Sequence, residues 1–234
     1  MSMQPYIYLI PSVLDETAIQ TIPPYITDAI KNCSVIFAEN ERTSRRFLKS
    51  ICKEIVIDDY EWFTIHKAEE EQLHTFRQKL KEGKNIAIIS EAGCPGIADP
   101  GQILIAAAQE MGATIKPLVG PSSILLALMA SGMNGQQFVF IGYLPIDTAE
   151  RIKAITALEL ASQKKYSTQI FIETPYRNNQ LIETLLKTCK PSTKLCIAAE
   201  LTAANEYIKT KTIAEWKKEK TDFHKKPAIF LLQG

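Results

Sequence analysis

The chain has little of what would direct it to a membrane or build it around a metal. Five cysteines are scattered among its 234 residues (Cys33, Cys52, Cys94, Cys189 and Cys196), an odd number without a CxxC pair. That pattern excludes a disulfide framework and a cysteine zinc site, so the five are read as reduced thiols and no metal site is expected. No stretch reaches the roughly 18 apolar residues of a membrane helix. The start, MSMQPYIYLIPSV, lacks the basic residues and long apolar run of a signal peptide, and a cytoplasmic, membrane-free location is expected. GxGxxG, GxxxxGKS or GxxxxGKT, and HExxH are absent too, which removes the main support for nicotinamide, P-loop nucleotide and zinc-protease readings. Net charge is only +1. It hides an asymmetry, because residues 145–234 carry 15 Lys and Arg against 10 Asp and Glu. A mildly basic half suits a polyanion but falls short of a dedicated nucleic-acid footprint. The lysines of KTKTIAEWKKEKTDFHKK are interleaved with acids and read as a solvated face.

What is present is a globular composition, 46% hydrophobic and 23% charged, enough for one large or two modest domains. Apolar runs alternate with helical patterns: YIYLI, PPYITDAIKN, SVIFA, ERTSRRFLKSI, EIVID, HKAEEEQLHTFRQKLKEG, NIAIIS, GQILIAAAQEMG, TIKPLV and PSSILLALMASG. Short strands separated by helices predict βαβ units and a mostly parallel sheet covered on both faces. After FVFIGYLP come the helix TAERIKAITALELASQKK, the strand QIFIE, the helix PYRNNQLIETLLKTC, the strands KLCIAA and EYIKTK, the short helix TIAEWKKE and the strand AIFLL. That set suits a smaller α+β domain with antiparallel pairing. The sequence therefore predicts an α/β protein of two domains, 1–144 and 145–234, divided near Leu144-Pro145.

Behind NIAIIS stands SEAGCPGIADPG, residues 90 to 101. Strand-to-helix connections usually run about two to six residues, and longer ones are more often functional. Glycine permits positive φ and close approach while proline fixes φ, so the segment specifies a rigid, shaped loop. A structural reading accounts for part of it, with Asp99 capping the next helix and Pro100 at its first position. It leaves the stretch from Glu91 to Gly96 unexplained. Ligands of open α/β sheets bind beyond the carboxyl ends of strands. Those ends are IPSVLDE, AENER, SEAGCPG and VGPSS, with IETPYR and AAELT in the second half.

In order and spacing these motifs resemble the tetrapyrrole methylase superfamily of S-adenosylmethionine-dependent methyltransferases. The nearest branch is that of the ribosomal small-subunit RNA 2'-O-ribose methyltransferases. SEAGCPGIADPG is similar to that branch's SDAGTPLISDPG, VGPSS to PGPSA, FIGYLP to FxGFLP, IETPYR to YESPHR and AELT to RELT. The resemblance implies two α/β domains with the cofactor in the cleft between them, S-adenosylhomocysteine as product, an RNA substrate and a homodimer. It implies a cofactor wall of Pro11, Glu91, Ala92, Gly93, Cys94, Ile97, Ala98, Ser122 and Ser123, completed by Glu173, Leu201, Pro227 and Ala228. Backbone N–H groups at Gly93 and after Gly120-Pro121 are expected to receive the cofactor's carboxylate or adenine edge, and nearby carboxylates to face its positive sulfur.

Structural alternatives stand beside each motif. Ser122 can simply cap a helix, Glu173-Thr174-Pro175 can be a strand end before a capped helix, and AENER can be a cap with dipole-favoured acids. His66 reads as surface or structural. The first loop, IPSVLDE, is shorter than the branch's TPIGNLGD and lacks its glycine. AEDTR has become AENER, and an HEHNE-like segment survives only as HKAEEE. The departures fall on the acceptor side, which leaves methylation of a small molecule, or a non-catalytic cofactor-binding module, as alternatives. If RNA is the acceptor, Glu39, Arg42, Glu173, Arg177 and Glu200 are the candidate catalytic residues: a carboxylate to take the hydroxyl proton, and Arg42 or Arg177 to hold a neighbouring phosphate.

Overall fold

The computed structural model describes residues 5–66 and 68–234. The MSMQ start and Lys67, at the expected opening of the third helix, lie outside the described residues. The chain forms two compact units, the first ending at Ser122 and the second running from Ser123 to Gly234.

The first unit alternates β1 (Tyr6–Ile10), α1 (Ile26–Lys31), β2 (Val35–Ala38), α2 (Glu41–Ile51), β3 (Glu61–Thr64), α3 (Glu69–Lys81), β4 (Ile86–Ile89), α4 (Gln102–Glu110) and β5 (Thr114–Pro117). Its sheet is wholly parallel, in the order β3-β2-β4-β1-β5. The period-2 alternation of strand side chains separates two cores. Ile10, Ile36, Ala87 and Ile89 pack with Ile26 and Ile30 of α1 and Phe47 and Leu48 of α2. Ile7, Val35, Phe37, Ile86 and Ile88 pack with Phe76 and Leu80 of α3 and Leu104 and Ala108 of α4. Adjacent strands thus send the chain to opposite faces, β1 and β2 to one and β4 to the other. Their loops diverge beyond the carboxyl ends, the switch point at which open parallel sheets take ligands.

Two local expectations are corrected in this unit. EIVID is not a strand: Ile57–Asp59 form a 3-10 turn, and β3 follows at EWFT, where Glu61, Trp62, Phe63 and Thr64 align with Val35, Ile36, Phe37 and Ala38. Tertiary pairing overrides the β-branched propensity of EIVID. Nor does Asp99 cap α4. Its N-cap is Gly101, at φ 125° with no side-chain cap, and the free N–H groups of Ile103 and Leu104 donate to Glu69 Oε1 of α3 at 2.7 and 3.2 Å. A carboxylate at a helix N-terminus satisfies orphan donors and the dipole together.

The second unit contains α5 (Ser123–Ser131), β6 (Phe138–Tyr143), α6 (Thr148–Lys165), β7 (Thr168–Ile172), α7 (Asn178–Thr188), β8 (Lys194–Ala199), β9 (Tyr207–Thr212), α8 (Ile213–Trp216) and β10 (Ala228–Gln233). Its sheet order is β6-β7-β10-β8-β9. Only the β6–β7 pair is parallel, and β10 runs antiparallel between β7 and β8. Ile155, Phe171, Leu181, Leu185, Ile197, Trp216 and Phe230 form its core. Asp147 caps α6 by accepting from Glu150 N at 2.9 Å, and Thr212 and Glu215 close a capping box on α8. The division at Ser122 differs from the boundary expected near Leu144-Pro145. β6 joins the second unit because it pairs with β7, and α5 does so because it packs on β9 and β10.

Candidate functional site

In the first unit the loops after β1, β2 and β4 are tied into one constellation. Ser12 and Gly93 exchange both backbone hydrogen bonds, Ser12 N to Gly93 O at 2.8 Å and Gly93 N to Ser12 O at 3.1 Å. The Ser12 hydroxyl donates to Ser90 O at 2.8 Å. Gly93 adopts φ 69°, a conformation glycine takes without penalty. Its N–H is therefore not free for a cofactor as expected: Ser12 already accepts it, and Gly93 works as the clasp that fixes the loop. Pro11 is buried and abuts Gly120 beyond β5 so closely that a Cβ there would lie 2.1 Å from Pro11 Cβ. Cys94 donates weakly to Pro121 O, at 3.6 Å.

The rest of the loop turns outward. Glu91, Ala92, Ile97 and Ala98 are exposed, and Ala98 holds φ 65°, strain of a kind that concentrates at ligand sites. Glu39 reaches in from the end of β2, its Oε2 accepting Glu91 N at 2.8 Å, while Glu91 Oε1 accepts from Thr43 Oγ1 at 2.9 Å. Asn40 caps α2 through Arg42 N and Thr43 N, so the capping alternative for AENER holds at that residue. Glu39 projects beyond the cap. Arg42, on the first turn, is exposed. His66 Nδ1 lies 3.8 Å from Glu39 Oε1. Asp99 joins this acidic corner: burial, then the charges of Glu39 and Glu91, push its carboxyl up to about 7, and burial with Asp99's charge raises the Cys94 thiol. The sequence reads Asp99 as a cap, whereas the carboxylates of Glu39 and Glu91 give it a different character.

In the second unit the candidate residues gather where β7 and β8 end and β10 begins. Glu173 is buried at 4% exposure. Its Oε1 accepts from Arg177 Nε at 3.0 Å, Arg177 Nη2 at 2.7 Å and its own neighbour Thr174 N at 2.7 Å, while Oε2 is buried with no partner. Arg177 is thus committed to Glu173 and does not stand free as a phosphate grip. Glu200 N donates to Pro227 O at 2.9 Å, and Glu200 Oε2 lies 3.5 Å from Lys226 Nζ, in ion-pair range without hydrogen-bond alignment. Leu201 is buried, Pro227 exposed and Ala228 half-buried. Glu200, Thr202 and Lys225 take φ of 52°, 71° and 63°, a second concentration of strained non-glycine residues at strand ends. Ser123 opens α5 in this unit, next in sequence to Ser122, which ends the first.

A five-stranded parallel sheet with clasped glycine-proline loops is followed by a mixed five-stranded sheet with acids at its strand ends, Glu173 buried and Glu200 partly so. The chain matches the Tetrapyrrole (Corrin/Porphyrin) Methylases over residues 22–217 and belongs to that family. It is an S-adenosylmethionine-dependent methyltransferase. Among its relatives are proteins named ribosomal RNA small subunit methyltransferase I. The one from Buchnera aphidicola subsp. Schizaphis graminum is 30% identical over 231 residues, 97% of this chain and 77% of that protein. The one from Escherichia coli O157:H7 is 33% identical over 176 residues, 74% of this chain and 60% of that protein. The one from Bacillus subtilis is 30% identical over 210 residues, 89% of this chain and 68% of that protein. Among solved structures, the methyltransferase CobJ has a TM-score of 0.64 at 15% identity, covering 98% of this chain and 93% of that one. The uroporphyrin-III-C-methyltransferase from Thermus thermophilus has a TM-score of 0.56 at 15% identity, covering 99% and 93%. These two likenesses establish the fold.

The residues present fit the cofactor. Glu173 Oε2, Glu200 Oε2 and Thr202 Oγ1 are buried without hydrogen-bond partners, and buried unpaired polar atoms are rare unless a ligand or water completes them. S-adenosylmethionine brings an ammonium and ribose hydroxyls, which are the hydrogen-bond donors that these oxygens lack, and a sulfonium whose positive charge suits neighbouring carboxylates. No helix among the described residues is long and apolar enough to cross a membrane.

Proposed function

We propose that this methyltransferase modifies a ribose 2'-hydroxyl of small-subunit ribosomal RNA, in the cytoplasm, as a homodimer. The observation that carries the acceptor is the match, over 97% of the chain, to a relative named for that RNA. The small-molecule and non-catalytic alternatives gain nothing from the structure, since 15% identity to corrin and porphyrin enzymes speaks for fold alone. In this reading the cofactor-binding residues of the first unit are Pro11, Glu91, Ala92, Gly93, Cys94, Ile97, Ala98 and Ser122, and those of the second unit are Ser123, Glu173, Leu201, Pro227 and Ala228.

S-adenosylmethionine, when bound, supplies a methyl group on a positively charged sulfur. The chain's task is to orient the acceptor oxygen, exclude water and receive one proton, effects worth several kcal/mol each. Arg42, exposed on the first turn of α2, is placed to hold a phosphate of the acceptor strand. Glu39, fixed by Glu91 N through one oxygen, keeps the other toward His66 and serves as a proton acceptor. Asp99, held near 7, has the proton affinity that general-base work at neutral pH favours. Arg177 holds Glu173 oriented, a positioning role, and Glu200 with Lys226 forms the neighbouring charged pair.

The homodimer is supported by β6, an edge strand that leaves Phe138, Val139, Ile141 and Tyr143 between 37% and 59% exposed. An apolar edge with unpaired backbone groups is a liability that a second copy covers. The acceptor is tested by mass spectrometry of small-subunit RNA from a strain lacking the gene. Loss of one 2'-O-methyl nucleoside, restored by the wild-type gene, is expected; an unchanged nucleoside profile overturns the reading.

A further inference from the structure

The second unit carries a cavity at the far end of its sheet from Glu173 and Glu200. Along β10, Ala228 pairs with Ala199 at one end and Gln233 with Lys194 at the other. Five strand steps separate those ends, about 17 Å at ~3.4 Å per residue. The cavity at the Gln233 end has a volume of about 450 Å³, and its lining includes Asn134, Gln136, Gln137, Lys165, Lys194 and Gln233. Two lining residues are lysines and none is acidic.

The walls are built rather than incidental. Asn134 Oδ1 accepts from Gln136 N at 2.9 Å and Gln137 N at 3.2 Å, and Asn134 Nδ2 donates to Tyr166 O at 2.6 Å. The segment before β6 is thereby locked to the end of α6. The Thr168 hydroxyl donates to Asn134 O at 2.9 Å and joins β7 to the same knot. Gln233, at the end of β10, also lines the cavity. It is 8% exposed, and its Nε2 is buried with no hydrogen-bond partner. A buried amide donor left unpaired carries a desolvation penalty unless something completes it. The C-terminus of α6 contributes roughly half a negative charge, confined to its last turn. Lys165 and Lys194, which both line the cavity, outweigh it.

We propose that this cavity binds a phosphate-class oxyanion, with Gln233 Nε2 donating to it and the Lys165 and Lys194 ammonium groups balancing its charge. At 450 Å³ it has room for a phosphate together with an attached sugar, within the usual size of ligand pockets. Such a phosphate comes either from a free phosphorylated metabolite or from a nucleic-acid backbone. The site is independent of the methyl-transfer loops, and its test does not depend on the acceptor assigned above.

Calorimetry on the whole chain with ribose 5-phosphate, and with a short RNA oligonucleotide lacking terminal phosphates, decides the matter. Binding of at least one probe is expected. The double variant Lys165→Ala, Lys194→Ala should weaken it at least about tenfold, as loss of charge-assisted hydrogen bonds does. S-adenosylhomocysteine affinity should stay at the wild-type value. Gln233→Leu should weaken the same probe, with its melting temperature recorded to separate binding from folding. The two exposed lysines keep the test decisive if that variant folds poorly. Binding of the monoester alone assigns a metabolite, and binding of the oligonucleotide assigns a nucleic-acid backbone. Absence of binding to both probes, or wild-type affinity in the lysine variant, overturns the proposal.

Discussion

Arg177 brings Nε and Nη2 to 3.0 and 2.7 Å from one oxygen of Glu173 and leaves the other oxygen buried without a partner. The pair is asymmetric in burial, with the Glu173 side chain 1% exposed and that of Arg177 30%. Removing the arginine strands a buried carboxylate, whereas neutralising the glutamate leaves a guanidinium that reaches water. Arg177→Ala is therefore expected to lower stability by about 2–3 kcal/mol, below the value for a fully buried pair because the arginine is partly solvated. Glu173→Gln should lower it less while weakening cofactor binding more. Urea midpoints and calorimetry with S-adenosylhomocysteine on both variants check the ordering.

Asp99 makes stability depend on pH in an unusual direction. Its carboxyl is raised from 3.8 to about 7 by burial and by Glu39 and Glu91, so the folded chain keeps a proton that the unfolded chain releases. The resulting penalty is absent below about pH 4, grows as pH rises toward about 7, and is constant above that. Asp99→Asn is expected to remove this decline and to raise stability at pH 8 by roughly 1 kcal/mol after allowance for partial exposure. Thermal melts of both proteins from about pH 5 to about pH 8 measure the difference. A positive ligand near the same corner expels the proton. The affinity ratio of S-adenosylmethionine to S-adenosylhomocysteine should thus rise about threefold or more from about pH 6 to about pH 8, and stay flat in Asp99→Asn.

Gly93 and Gly120 should fail differently. At Gly93 an added Cβ meets only Leu14 at 3.6 Å and Pro121 O at 3.8 Å, and the cost lies in φ 69°. Gly93→Ala is expected to cost about 1–2 kcal/mol. At Gly120 the Cβ would overlap Pro11 at 2.1 Å, so Gly120→Ala must separate the loops after β1 and β5. Its cofactor affinity should fall at least about tenfold, as misplacement of a preorganised site does. Equal affinities in the two variants would show that the Pro11–Gly120 contact is irrelevant to binding.

Glu69 holds the N-terminus of α4 from another helix. Glu69→Ala should destabilise the first unit by about 1–2 kcal/mol, the usual effect of losing a helix cap. Glu69→Gln should lose less, since the amide oxygen still accepts. Hydrogen exchange at Ile103 and Leu104 reads the effect locally.

How much of this was legible beforehand follows from the range of each interaction. α2 and α6 begin where their patterns place them, because Asn40 and Asp147 are local caps. The parallel first sheet and mixed second sheet follow from apolar runs and helix lengths. EIVID misled because its β-branched residues speak only to propensity, while the partner edge on β2 is filled by EWFT. FVFIGYLP continues the βα rhythm of the first half, and its pairing with β7, which joins it to the second sheet, is not readable from the strand itself. In the site, residue types at strand ends were readable. Partners across 52 or 78 positions, such as Glu39 with Glu91 N or Ser12 with Ser90, were not. Asp99 was hidden for that reason, although an acid in a long loop opposite AENER was the available signal.

The central claim is transfer of a methyl group to small-subunit ribosomal RNA, and transfer with the purified chain tests it most directly. Small-subunit RNA from a strain lacking the gene is incubated with the protein and S-adenosylmethionine labelled on the methyl group, then hydrolysed in alkali. A 2'-O-methyl group blocks cleavage at its own linkage, so the account predicts label in one alkali-resistant dinucleotide, greatly reduced by Glu39→Gln and by Arg42→Ala. No label in the RNA, or label released entirely in mononucleotides, would contradict it.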